Sequence, residues 1–438
     1  MDHEETLEYL AGKGNEVQMM HLGLHRTRAM MAALGDPQGA YPSIHIAGTN
    51  GKGSVAAMSE SMLRHAGLKT GLYTSPHLVR VEERIRVNGR QVAARGFSML
   101  ATRIRQTEEQ LIVNGALDRP LTTFEFLTCC AFLHFAKQNI DVAVVEVGMG
   151  GRLDATNIID PAVTVITGVS LDHQNYLGRT IRKIAGEKAG IIKNSVNGIP
   201  VISGCADPVA RQVVRHHADE VKAPLIEIDR DAGMENRRDC RGYQLFDLHT
   251  PNRSYRNLRV SLAGDIQIRN AAMAVMAIEA LPSFRVSPGD IRRGLADARW
   301  EGRIDEYASV RRTLLDGAHN PESARLLKKY LLGRKETEIH LVFGAVRDKN
   351  IREIGAALFP LAARIYLTPL RNSRTSDPNE VARMHPRHRS RIRIHAAMRD
   401  ALNAAWKECP PSGLVVITGS LYLVGELLPL VKARTGRR

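Results

Sequence analysis

Short apolar runs alternate with longer stretches of helical period through most of the 438-residue chain. That pattern predicts an α/β fold with largely parallel sheets. The runs "SIHIAG" (43–48), "KTGLYT" (69–74), "DVAVVEV" (141–147), "AVTVITGV" (162–169) and "PVISG" (200–204) read as strands. Helices are predicted between them, over 53–66 and 123–138, the second opening at Thr122 or Thr123 with Glu125 in its first turn. Residues 226–262 change texture: "RDAGMENRRDCRG" is followed by short polar–apolar alternation. This predicts a small antiparallel insertion, with a helix over 268–281 behind it. A second α/β pattern begins near 305, with strands at 312–317, 338–346, 364–370 and 413–420. The turn-rich, charged stretch "ADARWEGRIDEY" (296–307) separates the two halves, so the division is expected at about 298–304, giving units 1–298 and 299–438.

One junction carries chemistry. "IHIAGTNGKGSVAAM" (44–58) is strand, glycine-rich turn and helix. Glycines let backbone N–H groups approach an anion, and the helix adds its positive end. Lys52 is placed to neutralise phosphate oxygens, and the Ser54 hydroxyl suits Mg²⁺. Gly48, Thr49, Asn50, Gly51 and Gly53 complete a candidate nucleotide loop. It departs from G-x-x-x-x-G-K-[ST], because Gly53 separates Lys52 from Ser54 and Ile46 stands where the first glycine belongs. The alternative is a tight turn with no chemical role. Three glycines, a lysine and a serine together behind a good strand weigh against it.

Composition narrows the field. Lys plus Arg is 61 and Asp plus Glu 46, a net charge of +15 that suits nucleic acid, membrane surfaces or acidic small molecules. The basic run "RMHPRHRSRIRIH" (383–395) has no interleaved aromatics, and aromatics are 5% overall. It reads as a solvated face rather than a base-stacking platform, so no nucleic-acid partner is expected. No apolar run approaches the roughly 18 residues of a membrane span, and the acidic start "MDHEETLEYL" does not resemble a signal peptide. Five cysteines with no C-x-x-C pair disfavour a disulfide framework or a zinc site. A cytoplasmic setting is expected.

The lysine–glycine–serine spacing is that of the Mur ligase superfamily, and "HIAGTNGKGS" resembles the nucleotide loop of folylpolyglutamate synthase and dihydrofolate synthase. Further pieces agree in order: "GLYTSPHLVRVEERIRVNG" (71–89), "TTFEFLT" (122–128), "VVEVGMGGRLDATN" (144–157), "LDHQNYLG" (171–178) and "EKAGIIK" (187–193), then "WEGR" (300–303), "LLDGAHNPESAR" (314–325) and "VITGSLYLVGE" (416–426). The resemblance implies a P-loop-type parallel-sheet ATPase domain with a smaller Rossmann-like α/β domain behind it. It also implies a ligase that joins glutamate to a pteridine carboxylate: ATP phosphorylates the carboxylate, and the amino group of glutamate displaces phosphate. Charge neutralisation and alignment serve that chemistry better than a covalent protein nucleophile.

By the same resemblance, Ser54 and Glu146 would bind the Mg²⁺ that accompanies ATP, and His173 a second Mg²⁺. Read alone, Glu146 could instead cap the following glycine-rich turn, and an imidazole is an unusual magnesium ligand. Lys188 matches a lysine that becomes carbamylated, although "GEKAGIIK" by itself reads as a helix with surface lysines. Lys52, His173 and Lys188 are the implied catalytic set. Asn270, Arg303, Asp316 and His319 fit ATP-clamping positions; the lesser alternative for Arg303, at the division, is an interdomain salt bridge. The pteridine would lie near Ser75, Pro76, His77 and Phe124, with Phe124 stacking on the ring or serving as helix core. Arg152, Asp154 and Ala155 would approach the pteroate, and Arg374 the glutamate.

Two departures stand out: the family's G-x-H-Q-x-x-N has Ile266 in place of histidine, and D-H-T reads Asp172, His173, Gln174. Neither removes an implied metal ligand, so an active enzyme is expected. The intact "GGRLDATN" with Phe124 upstream leans toward both dihydropteroate and folates as substrates, with folylpolyglutamate synthesis alone as the alternative. A nucleic-acid-linked ATPase would show a proper G-K-[ST] loop. A monomer is expected, since two domains can enclose one site.

Overall fold

The computed structural model describes residues 1–14, 23–194, 196, 198–240, 242–282, 284–334 and 338–435. Among these, six short apolar runs lie side by side as parallel strands: β1 (Ser43–Ala47), β2 (Thr70–Tyr73), β5 (Val142–Glu146), β6 (Val163–Ile166), β7 (Val201–Ser203) and β8 (Leu225–Glu227). An antiparallel ribbon, β3 (Ile85–Val87) and β4 (Arg90–Gln91), extends one edge. The order is β4-β3-β2-β5-β1-β6-β7-β8. The strands from β1 to β7 are buried along their length apart from the edge ribbon, which explains why they read as continuous apolar runs. The β3–β4 ribbon and β8 were not legible, being short and only partly apolar; β8 falls where the sequence suggested the start of an insertion.

The antiparallel unit itself is β9 (Gly233–Cys240), β10 (Tyr243–His249) and β11 (Ser254–Val260), in order β11-β10-β9. Its inner residues Phe246, Leu248, Tyr255 and Leu258 join the core beside helix Ile266–Glu279.

The second half forms a mixed sheet, β12-β13-β17-β14-β15-β16, from β12 (Asp305–Ala308), β13 (Arg312–Leu315), β14 (Ile339–Phe343), β15 (Arg364–Leu367), β16 (Ile392–Ile394) and β17 (Leu414–Thr418). All pairs are parallel except β12 with β13. The basic run 383–395 is mostly exposed, yet it also supplies β16, whose Ile392 is buried against β15.

Helix Thr123–Lys137 begins as its sequence predicts. Thr122 accepts a hydrogen bond from the Glu125 backbone at 3.3 Å, and Glu125 accepts from the Thr122 N–H at 2.7 Å. The same carboxylate takes buried Arg26 at 2.8 Å, so the helix start is fixed to helix His25–Ala33. Thr122→Ala is expected to cost about 1 kcal/mol. The check is a lower urea midpoint with an unchanged slope; an unmoved midpoint would remove the cap from the account.

Candidate active site

Ligands of open α/β sheets bind beyond the carboxyl ends of the strands. Here both sheets turn those ends toward one cleft of ≈ 1010 Å³. From the first sheet come the loop after β1, Glu146 at the end of β5, and residues 167–177 after β6. From the second come Asp316 and His319 after β13, Lys349 after β14, Arg374 after β15 and Tyr422 after β17.

Gly48, Thr49, Asn50, Gly51, Lys52, Gly53 and Ser54 all line the cleft, and helix Lys52–His65 starts within the loop. Gly51 has φ +87°, and a Cβ there would lie 2.7 Å from Asn270 Oδ1. A side chain at 51 would therefore be both strained and obstructed. Asn270 in turn donates to Gln267 Oε1 at 2.9 Å, and Ile266 lines the cleft beside them.

Two ammonium groups converge on one carbonyl. Lys52 Nζ donates to Gly48 O at 3.2 Å, and Lys188 Nζ to the same oxygen at 2.9 Å. Lys188 is 4% exposed rather than on a helix surface. Burial, then the Lys52 charge, pulls it down to about 7. Glu146 lies 3.9 Å from Lys52 and accepts from the Ser75 N–H at 3.2 Å. Its burial raises its pKa, and Lys52 opposes the rise. The glycine-rich turn after β5 is capped by Asp154, not Glu146: the Met149 N–H donates to Asp154 Oδ2 at 2.9 Å.

The implied Mg²⁺ fits Ser54 and Glu146, a hydroxyl and a carboxylate that border the cleft at the phosphate loop. Among the described residues no three His, Cys, Asp or Glu side chains converge as a cage. A cation held largely by nucleotide oxygens and water needs none. His173 lines the same cleft at φ 49°, an uncommon left-handed backbone for a non-glycine residue. Burial, then Lys349, lowers its pKa to about 3, and burial with Lys349 lowers His319 to about 4. Both rings are neutral at pH 7, with lone pairs available.

The sequence offered no signal for the network that joins the two halves here. Asp172 accepts from Lys349 Nζ at 2.5 Å and from Asn320 Nδ2 at 3.1 Å, and His319 Nε2 lies 3.7 Å away. Burial opposes its ionisation, but Lys349, His173 and His319 together hold its pKa well below the usual range. Asn320 also donates to Asn50 Oδ1 at 3.0 Å, which ties the phosphate loop to the second sheet. Lys349 Nζ stands 3.4 Å from His173 Nε2.

The remaining candidates divide. Ser75, Pro76, Phe124, Arg303 and Arg374 line the cleft. Phe124 is half-buried, and its ring lies on Gly148 and 6.1 Å from the Tyr73 ring. Arg374 donates to the Tyr422 hydroxyl at 3.0 Å and stands 3.5 Å from Asp348. Asp316, raised by burial, accepts from the Ile304 and Ala318 N–H groups, each at 2.9 Å. His77 borders a small adjoining cavity and accepts from Arg84 at 2.9 Å. Arg152, Asp154 and Ala155 border neither cavity. Arg152 turns to Glu187 at 2.8 Å, Asp154 is occupied by the Met149 and Thr156 N–H groups, and Ala155 is buried.

This geometry has the parts of a Mur-type ATP-dependent amide ligase, and the comparisons agree: residues 46–278 match the Mur ligase middle domain and residues 299–421 the Mur ligase, glutamate ligase domain. A dihydrofolate synthase/folylpolyglutamate synthase of Bacillus subtilis is 34% identical, over 94% of this chain and 95% of that one. That of Mycobacterium tuberculosis is 35% identical, over 87% and 82%. The structure of Mycobacterium tuberculosis folylpolyglutamate synthase complexed with ADP and AMPPCP superposes with a TM-score of 0.91 at 32% identity, covering 100% of both chains. E. coli FolC in complex with DHPP and ADP gives 0.88 at 30%, covering 99% and 98%. The chain belongs to the folylpolyglutamate synthase/dihydrofolate synthase family and is an ATP-dependent glutamate ligase.

Proposed function

We propose that this enzyme adds L-glutamate both to dihydropteroate and to folates, by way of an acyl phosphate. The observation that carries the reading is the shared cleft. The cationic phosphate loop and Glu146 stand on one side, and His319, Lys349 and Arg374 on the other. Residues 1–298 would bind ATP and the pteridine, and residues 299–438 would present glutamate.

In this reading the loop N–H groups and Lys52 hold the ATP phosphates, and Ser54 and Glu146 hold Mg²⁺, which when bound neutralises phosphate charge. His173 and a carbamylated Lys188 would hold a second Mg²⁺. Asn270, Arg303, Asp316 and His319 clamp the nucleotide, and Phe124, with Ser75, Pro76 and His77 near it, receives the pteridine. Arg374 faces the glutamate, whose amine must be neutral to attack. Closure of the two halves excludes water from the acyl phosphate. Because one chain supplies both walls, a monomer suffices. No helix among the described residues is long and apolar enough to cross a membrane.

The test is ADP release with glutamate plus dihydropteroate, then with glutamate plus tetrahydrofolate, then with single-stranded DNA. Turnover in both pteridine reactions is expected. Turnover with tetrahydrofolate alone would reduce the enzyme to folylpolyglutamate synthesis. No glutamate-dependent turnover with either would end the proposal.

A further inference from the structure

Gly53 separates this loop from the common phosphate-loop pattern, yet its backbone does not require glycine: it sits in the first turn of helix Lys52–His65. Its neighbour requires it. A Cβ at 53 would lie 2.6 Å from Trp300 Nε1, 2.8 Å from Cε2 and 2.9 Å from Cζ2. Real Cβ atoms do not make non-bonded contacts so short, so the indole rests on the bare Cα of the residue between Lys52 and Ser54. The Arg86 guanidinium also lies over the ring, 5.5 Å from its centroid, itself held by Glu83 O at 3.0 Å.

Within four residues of Trp300 the chain is fastened to the second sheet. The Gly317 N–H donates to Gly302 O at 2.9 Å, and the Ile304 N–H to Asp316 Oδ2 at 2.9 Å. Between them Arg303 lies over Gly317, where a Cβ would come within 2.5 Å of Nη1, and it lines the cleft. Gly302 (φ +72°) and Ile304 (φ +50°) hold this turn in left-handed conformations. Residues 300–304 are therefore a short clip with one end on the phosphate loop and the other on the second sheet.

We propose that Trp300 is a positioning residue for ligation: it sets the distance between the Lys52–Ser54 end of the phosphate loop and Arg303, so that both meet one nucleotide together. This rests on the ATP-ligase reading above. Trp300 touches no reacting atom; it acts through Gly53 and through the chain to Arg303.

The chain has two tryptophans, so Trp406→Phe leaves Trp300 as the sole indole. In that background a non-hydrolysable ATP analogue is expected to shift the emission, with calorimetry on the same sample reporting binding. Trp300→Ala is expected to lower kcat by about tenfold while KM for ATP changes less, and Trp300→Phe to recover most of the loss. Gly53→Ala should also lose kcat, and Gly53→Ala with Trp300→Ala should exceed Gly53→Ala alone, because the methyl then has room. Unchanged emission despite calorimetric binding would overturn the proposal. So would a double variant no better than Gly53→Ala, or a Trp300→Ala effect confined to stability. If the unaltered enzyme binds no nucleotide by calorimetry, the ATP-site reading fails and the positioning role with it.

Discussion

Lys52→Ala is expected to lower glutamate-dependent ADP release by a factor on the order of a thousand while leaving the fold intact. Lys52 sits at the positive start of helix Lys52–His65, within 3.9 Å of Glu146, and shares the Gly48 carbonyl with Lys188. Without phosphate this arrangement concentrates charge that burial disfavours. With phosphate present the same charge is what the transferring group requires. The side chain lines the cleft, so the circular dichroism spectrum should be kept. Turnover within a few fold of the unaltered enzyme would remove Lys52 from the reaction.

Lys188→Ala is expected to cost about a hundredfold or more in kcat, and millimolar formate or acetate to restore part of it. The proposed carbamate forms when the neutral amine attacks CO₂ and releases a proton, replacing an ammonium with a carboxylate. Burial and the neighbouring Lys52 bring the amine down to about 7, so the neutral form is available near neutrality. The sign follows from that. Above about pH 7 the amine is mostly neutral and carbamylation proceeds; below it, protonation competes and activity should fall. Removing CO₂ from the buffer should deepen the acid limb, and added bicarbonate should relieve it. A fully active Lys188→Ala enzyme, or an acid limb indifferent to CO₂, would end the carbamate reading.

The two lysines differ in how legible they are. Lys52 follows a strong strand and stands among glycines, so its neighbours in sequence point to the role proposed for it. Lys188 lies in "GEKAGIIK", whose local pattern fits a solvated helix equally well. Its burial comes from packing of helix Ile181–Ala189 behind the phosphate loop, with Gly48 O as its partner across a separation of 140 residues. Likewise, Asp172 stands in a motif, but nothing near it in sequence announces that Lys349 and Asn320 reach it from the second sheet. The "GGRLDATN" segment shows the converse: its motif suggested substrate contact, while Arg152 and Asp154 spend their hydrogen bonds on Glu187 and on backbone N–H groups.

By itself the sequence determined the buried parallel strands, the capped start of helix Thr123–Lys137, the phosphate loop and the family of ligases to which the chain belongs. Each is written in neighbours a few residues apart, where period, cap chemistry and glycine spacing act directly. Only the tertiary structure decided which charges lose their water and which residues meet across the cleft. Desolvation and long-range pairing set the state of Lys188, the Asp172 network and the contact of Trp300 with Gly53. Those depend on which strand lies beside which, and no local pattern encodes that.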